Sequence, residues 1–198
     1  MTIGNPRVFA IESSITRAYE NPGLRALGLF VIHVGGRRFG VYETDATMLG
    51  SSFDAVSDRI RRRGQHTAPF ASEPDGGKIA GAFRNAIYAD KPDEMFFGIP
   101  LEGFANFFKS ELNDIVWAPD GDEAFDDGSY VLQFDVDNRV RLIAFGCGEG
   151  YSPDHATLKD VWLPADDFYS LLQEWRDAFL SEWTRTSKMP NAEKATPT

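Results

Sequence analysis

The chain has 198 residues, 42% hydrophobic and 25% charged, an ordinary composition for one soluble globular domain that buries a core without covalent staples. Its one cysteine, Cys147, excludes an intramolecular disulfide framework and fits a reducing compartment. The net charge of −10 is unevenly spread: residues 1–91 carry 12 Lys and Arg against 9 Asp and Glu, whereas residues 92–198 carry 8 against 21. That acidity opposes binding to nucleic acid or to an anionic membrane.

The opening "MTIGNPRVFAIESS" is too polar and too broken for an export signal, and the longest apolar run, residues 27–34, is interrupted by Gly28 and His33. It falls far short of the roughly 20 residues that cross a bilayer. A cytoplasmic protein is expected. Residues 7–15 read as a strand running into a turn at Asn21-Pro22-Gly23. Residues 25–43 read as two strands joined by Gly35-Gly36, a pair able to take the positive φ that a two-residue hairpin turn demands. His33, inside an apolar strand, reads as structural. A helix follows, capped by Ser51 or Ser52, with Phe53, Val56 and Ile60 on one face and Gly64 at its end. Arg61, Arg62 and Arg63 fall in its last turn, where they offset the helix dipole or, alternatively, meet phosphate. His66 lies in a turn. Residues 76–90, with Ile79, Phe83 and Ile87 in register, and residues 101–110 read as two more helices.

Residues 114–119 have the look of a short strand. Residues 129–146 form the clearest hairpin: Tyr130, Leu132, Phe134 and Val136 alternate with Val131, Gln133 and Asp135, and Asp137-Asn138 supply the turn. A strand over 157–164 leads into a long helix, with Pro164 in its first turn and Asp166 and Asp167 at its positive end. Phe168, Leu171, Leu172, Trp175, Phe179 and Trp183 make its apolar stripe. The expected architecture is α+β, a largely antiparallel sheet packed by three or four helices in a single domain over residues 1–185, followed by a disordered tail over 186–198.

Several motifs approach known chemistry and fall short. "LIAFGCGEG", residues 142–150, looks like the glycine-rich loop of S-adenosylmethionine-dependent methyltransferases. Its strand arrives from a tight hairpin, however, only 48 residues follow it, and Ala144 and Phe145 stand where an acidic residue is wanted. An S-adenosylmethionine- or other small-molecule-dependent enzyme is the alternative reading; no cofactor is expected. A calcium loop could begin at Asp120 and Asp122, but Ala124, Phe125 and Val131 occupy its fifth, sixth and twelfth positions. No zinc spacing and no G-x-S-x-G elbow occurs, and Cys147 with His155 forms no specific pattern. No catalytic or metal site is expected.

What remains is an excess of carboxylates. Asp120, Asp122, Glu123, Asp126, Asp127, Asp135 and Asp137 occur with no Lys or Arg between Lys109 and Arg139. They either solubilise a surface or are offered to a basic partner.

The segments "FAIESSITRAYE" (9–20), "RALGLFVIHVGGRRFGV" (25–41), "DATML" (45–49), "RRGQHTAPF" (62–70), "AFRNAIYA" (82–89) and "WAPDGDEAFDDGSYVLQFDVDNRVRLIAF" (117–145) follow one another, ahead of a strand-plus-helix C-terminus. The ensemble resembles immunity protein family 42 of bacterial polymorphic toxin systems, over roughly residues 5–183. The stretch "GCGEGYSPDH" (146–155) stands out as a departure. The resemblance implies a small cytoplasmic antidote that binds one cognate toxin domain, performs no chemistry, and shares no fixed contact residues with its relatives. On that premise Trp117, Asp120, Asp122, Glu123, Phe125, Asp126, Asp127 and Tyr130 are the candidate toxin-facing residues. Carboxylates would steer a basic toxin, such as a nuclease with a basic substrate channel, and the aromatics would anchor it. A plain interaction module is the remaining alternative, and monomer and homodimer are both compatible with the sequence.

Overall fold

The computed structural model describes residues 1–88, 94–109, 114–117, 123–148 and 152–189. Strands β1 (Thr2–Asn5), β2 (Phe9–Tyr19), β3 (Ala26–Val34), β4 (Arg37–Phe39) and β5 (Thr47–Met48) precede helices α1 (Leu49–Arg61) and α2 (Gly76–Tyr88). A small hairpin, β6 (Met95–Phe96) and β7 (Ile99–Pro100), leads to α3 (Leu101–Lys109). After a 3-10 turn, Glu123–Phe125, come β8 (Ser129–Val136), β9 (Arg139–Gly146) and β10 (Lys159–Pro164), then α4 (Ala165–Arg185) and β11 (Lys188–Met189). The architecture is α+β in one domain, with four helices among the described residues.

Two sheets carry the fold. In the larger, β2 and β3 form a long antiparallel hairpin from Phe9↔Val34 to Ala18↔Ala26, with a bulge between Ile15 and Arg17. On the β2 side lie β1 and, pairing in parallel, β11; on the β3 side lie β4 and β5. Gly35 (φ 57) and Gly36 (φ 82) make the β3–β4 turn, both in the left-handed region that a two-residue hairpin turn needs. The smaller sheet runs β10-β9-β8, antiparallel throughout, and Asp137 (φ 52) takes the left-handed position in its hairpin turn.

The smaller sheet is covered on both faces, and its alternation sorts residues between two cores. Val131, Val140, Leu142 and Ala144 join the large sheet, α1 and the stripe of α4. Leu132, Phe134, Ile143 and Phe145 face a phenylalanine-rich core with Phe70, Phe83, Phe96 and Phe104 from the α2–α3 side. In α4, Phe168, Leu172, Trp175 and Phe179 are buried, whereas Leu171 and Trp183 pack at the margin. Two indole N–H groups fix the helix on the large sheet: Trp175 Nε1 donates to Ser13 Oγ (3.0 Å) and Trp183 Nε1 to Arg25 O (2.8 Å).

Three expectations need correction. The first helix starts at Leu49 and has Met48 at its cap with no side-chain hydrogen bond, because Thr47 and Met48 still pair with β3 and the helix leaves that strand directly. Ser52 is buried inside the helix. Residues 114–117 make a single bridge, Val116↔Leu132, rather than a strand. Lys188 and Met189, within the expected tail, form β11 against Ala18 and Tyr19; residues 190–198 lie outside the described residues. The β2–β3 hairpin is closed around Gly28, where an added Cβ would lie 2.0 Å from Ser14 O and 2.8 Å from Leu49 Cδ1. The Gly28→Ala variant should therefore lose about 3 kcal/mol, lowering the thermal midpoint by roughly 6–12 °C in calorimetry.

Candidate functional site

The acidic stretch is held at both ends, and the holding begins with a buried cation. Arg59, on α1 and 2% exposed, points into the molecule. Its Nη1 donates to Asp114 O (2.7 Å) and Gln133 Oε1 (3.3 Å), and its Nη2 to Val116 O (2.7 Å) and Asp114 Oδ1 (3.4 Å). Trp117 lies beneath the guanidinium at 4.3 Å and donates its indole N–H to the same Gln133 oxygen (3.0 Å). Gln133 Nε2 then donates to Tyr169 OH (3.0 Å), and that hydroxyl donates to Asp135 Oδ1 (2.8 Å). Asp135 Oδ2 also accepts from Gly64 N (2.7 Å), and the buried His66 ring has Nδ1 3.0 Å from Asp114 O. Backbone bonds from Trp117 N to Val131 O and from Gln133 N to Ile115 O, each 2.8 Å, seat the segment against β8.

The other end is a compact turn. Ala124 and Phe125 are buried, Phe125 edge-on to Phe30 at 6.5 Å, while Glu123 and Asp126 stay exposed. Asp127 accepts from Ser129 N (3.0 Å) and Ser129 Oγ (2.9 Å), closing the turn, and from Gly40 N at 3.3 Å. Val41 N donates to Ala124 O (2.8 Å), so the turn rests on the chain leaving β4.

This sorts the eight candidate residues. Glu123 and Asp126 are exposed carboxylates. Asp127 is exposed but employed in the turn. Trp117 and Phe125 are buried in the first core, which removes them from any contacting surface and makes them the anchors of the stretch. Tyr130 is half-buried, stacked on Phe145 at 5.6 Å, with its hydroxyl 2.9 Å from that of Tyr88 and Arg84 over its ring. Asp120 and Asp122 lie outside the described residues. Arg59 was not singled out in the sequence; its position three residues after Val56, on the face that buries Leu49, Ser52 and Phe53, is the signal that could have found it.

The competing chemistries find little support. After Gly146 the chain pairs back through Cys147↔Pro153 and returns as β10, antiparallel to β9, and among the described residues there no helix follows to receive a cofactor phosphate or carboxylate. The Cys147 thiol is pushed up by burial, the reverse of an activated nucleophile, and His155 is exposed beside the first turn of α2. His33 is paired with Glu12, Nε2 to Oε2 at 2.8 Å. Arg61 pairs with Asp58, and Arg63 with Asp166, which favours the local role for those bases. Among the described residues no group of three or more His, Cys, Asp or Glu side chains is placed to hold a metal, and no helix is long and apolar enough to cross a membrane.

The network should respond to alkali. Burial first and the Asp135 carboxylate second raise the Tyr169 phenol above the ordinary tyrosine range. A raised folded value gives stability that is complete below the unfolded tyrosine pKa and is lost as pH rises beyond about 10. Burial pulls Arg59 down to about 10, which acts in the opposite sense over the same range. Tyr169→Phe isolates the phenol: its deficit in urea midpoint against the parent should shrink between about pH 9 and about pH 11. An Arg59→Met variant, which strips the Val116 carbonyl and the Asp114 carboxylate of their Arg59 donors, should lose about 3–5 kcal/mol in the same assay.

A family model described as Immunity protein 42 matches residues 1–178. Among solved structures, CdiI from Burkholderia dolosa AUO158 superposes with a TM-score of 0.58 at 19% identity, over 90% of this chain and 99% of that one, a likeness of fold. No curated protein matches the chain.

Proposed function

The chain belongs to the immunity protein 42 family, and from that premise we propose that its acidic turn meets the cognate toxin. It is an immunity protein, one that binds and neutralises a bacterial toxin domain, and the family match over residues 1–178 carries that reading. The finer proposal concerns how. The antidote acts in the cytoplasm by occlusion and performs no chemistry of its own. The toxin domain it occludes is basic, as a nuclease with a basic substrate channel would be.

Glu123 and Asp126 support this reading because they are exposed on a turn whose backbone is already ordered by Asp127, Ala124 and Phe125. Carboxylates carried on an ordered backbone lose less entropy on meeting a partner, and their field raises the association rate. Asp120 and Asp122, outside the described residues, belong to the same proposed surface. Trp117 and Phe125 serve it from within, by fixing where the stretch enters and leaves.

Co-expression with the toxin domain encoded beside this gene should restore growth, and the purified pair should bind. A Glu123→Lys, Asp126→Lys double variant should associate about 10-fold more slowly at low salt, with the difference narrowing as salt rises. Parent-like association at both salt levels would remove the acidic turn from the interface.

A further inference from the structure

The acidic turn abuts a second exposed element that is more ordered than its exposure requires. The chain leaving β4 crosses the outer face of the large sheet. Glu12, His33 and Arg38 stand on that face; Ile11, Ile32 and Phe39 alternate with them toward the core. Tyr42 OH donates to Glu12 Oε1 (3.0 Å), the other Glu12 oxygen meets His33, and the Thr16 hydroxyl donates to Thr44 O. The Arg38 guanidinium carbon lies over the Tyr42 ring, 3.7 Å from its centre. Yet Tyr42 is 50% exposed, among the largest exposures of any apolar or aromatic side chain described. Glu43 and Asp45 beside it are exposed too. Val41 N to Ala124 O and Gly40 N to Asp127 Oδ2 make this surface continuous with the turn at Glu123 and Asp126.

The His33–Glu12 pair is part-buried, but the Tyr42–Glu12 bond and the Arg38–Tyr42 contact above it are exposed and contribute little to folding, so stability alone does not account for them. Tyr and Arg are enriched at binding hot spots because they present large contact areas through few rotors. A ring already pinned by Glu12 and Arg38 meets a partner with its rotamer chosen.

We propose that Tyr42, pinned by Arg38 and Glu12, is the aromatic anchor of the toxin contact, with Glu43, Asp45, Glu123 and Asp126 as the acidic rim around it. The partner is the basic cognate toxin domain. The proposal rests on the immunity reading and places the anchor on an element outside the acidic stretch. The single charge of Arg38 is outnumbered by the rim carboxylates Glu43, Asp45, Glu123 and Asp126. A toxin side chain that is apolar or cationic packs on the open ring edge, and the rim carboxylates accept from flanking Lys or Arg.

The test is a binding titration of the cognate toxin domain, with dissociation rates, against the parent and five variants: Tyr42→Ala, Tyr42→Phe, Arg38→Ala, the Glu123→Lys, Asp126→Lys double, and Met95→Ser. Met95, 58% exposed on the β6–β7 hairpin, samples a separate apolar surface. Thermal midpoints within a few degrees of the parent establish that each variant is folded. The proposal expects Tyr42→Ala to bind about 30-fold more weakly, mostly through faster dissociation and with the parent's salt dependence. Tyr42→Phe should keep most of the affinity and Arg38→Ala should fall between. If Tyr42→Ala and Arg38→Ala bind like the parent while the acidic double is impaired, the anchor is wrong and the acidic turn stands. If all of these bind like the parent and Met95→Ser is impaired, both surfaces are wrong and the contact lies at the hairpin. If the parent does not bind, the pairing with that toxin fails and the anchor fails with it.

Discussion

The buried guanidinium of Arg59 is the constraint on which the rest of this structure depends. It sits where α1, β8, α4 and the segment ahead of the acidic stretch converge, and only a long side chain with several donors in one plane can serve two carbonyls, an amide and a carboxylate there. A buried charge is tolerated only when most of its hydrogen bonds are satisfied: the two Nη groups of Arg59 are bonded, and Nε–H has no partner among the described residues. Residues 114–117, Gln133, Tyr169 and Asp135 are therefore tied to one another's positions. Arg141 repeats the device across the smaller sheet: its guanidinium grips Asp160 at 2.6 and 2.9 Å and the carbonyls of Ala71 and Glu73 at 2.8 and 2.6 Å. Three arginines of this acidic protein are thus buried, Arg59, Arg84 and Arg141, and Arg59 and Arg141 each hold a carboxylate, Asp114 and Asp160.

The smaller sheet can hold these networks because both of its faces are covered. One side packs on the large sheet and α4 and the other on the phenylalanine-rich layer, so Gln133, on a strand that alternates polar with apolar, is fully buried and must find partners. Those partners are Arg59, Trp117 and Tyr169. The same burial turns Trp117 and Phe125 of the acidic stretch inward, into the first core.

Under the proposed function this arrangement has a use: a partner-facing surface made of loops is precise only if its ends are locked to a rigid frame. The turn after the 3-10 segment is locked by Asp127 and by the chain leaving β4; that chain in turn is locked to the outer sheet face through Tyr42 and Glu12. Charge reaches solvent at Glu123 and Asp126 from elements whose neighbours hold them still.

The hairpins were legible in the sequence because period-two alternation and two-residue turns at Gly35-Gly36 and Asp137-Asn138 are local properties, set by backbone sterics within a few residues. So were the helices over 76–88 and 165–185, whose apolar stripes need only their own spacing to be read. Family membership was legible too, as a pattern spread over most of the chain. Other features belong to the tertiary structure alone. Strands of two residues such as β5 and β11 exist because a partner strand lies beside them, and α1 begins at Leu49 because β3 holds the residues before it. Trp117 and Phe125 read as surface anchors in an acidic loop, and Arg59 drew no notice beside Arg61, Arg62 and Arg63. All three are buried, because burial is decided by what other segments bring to a position, and the segments that enclose them lie up to about a hundred residues away in the chain. The charge on this protein was written in its composition; which charges face outward was decided by packing.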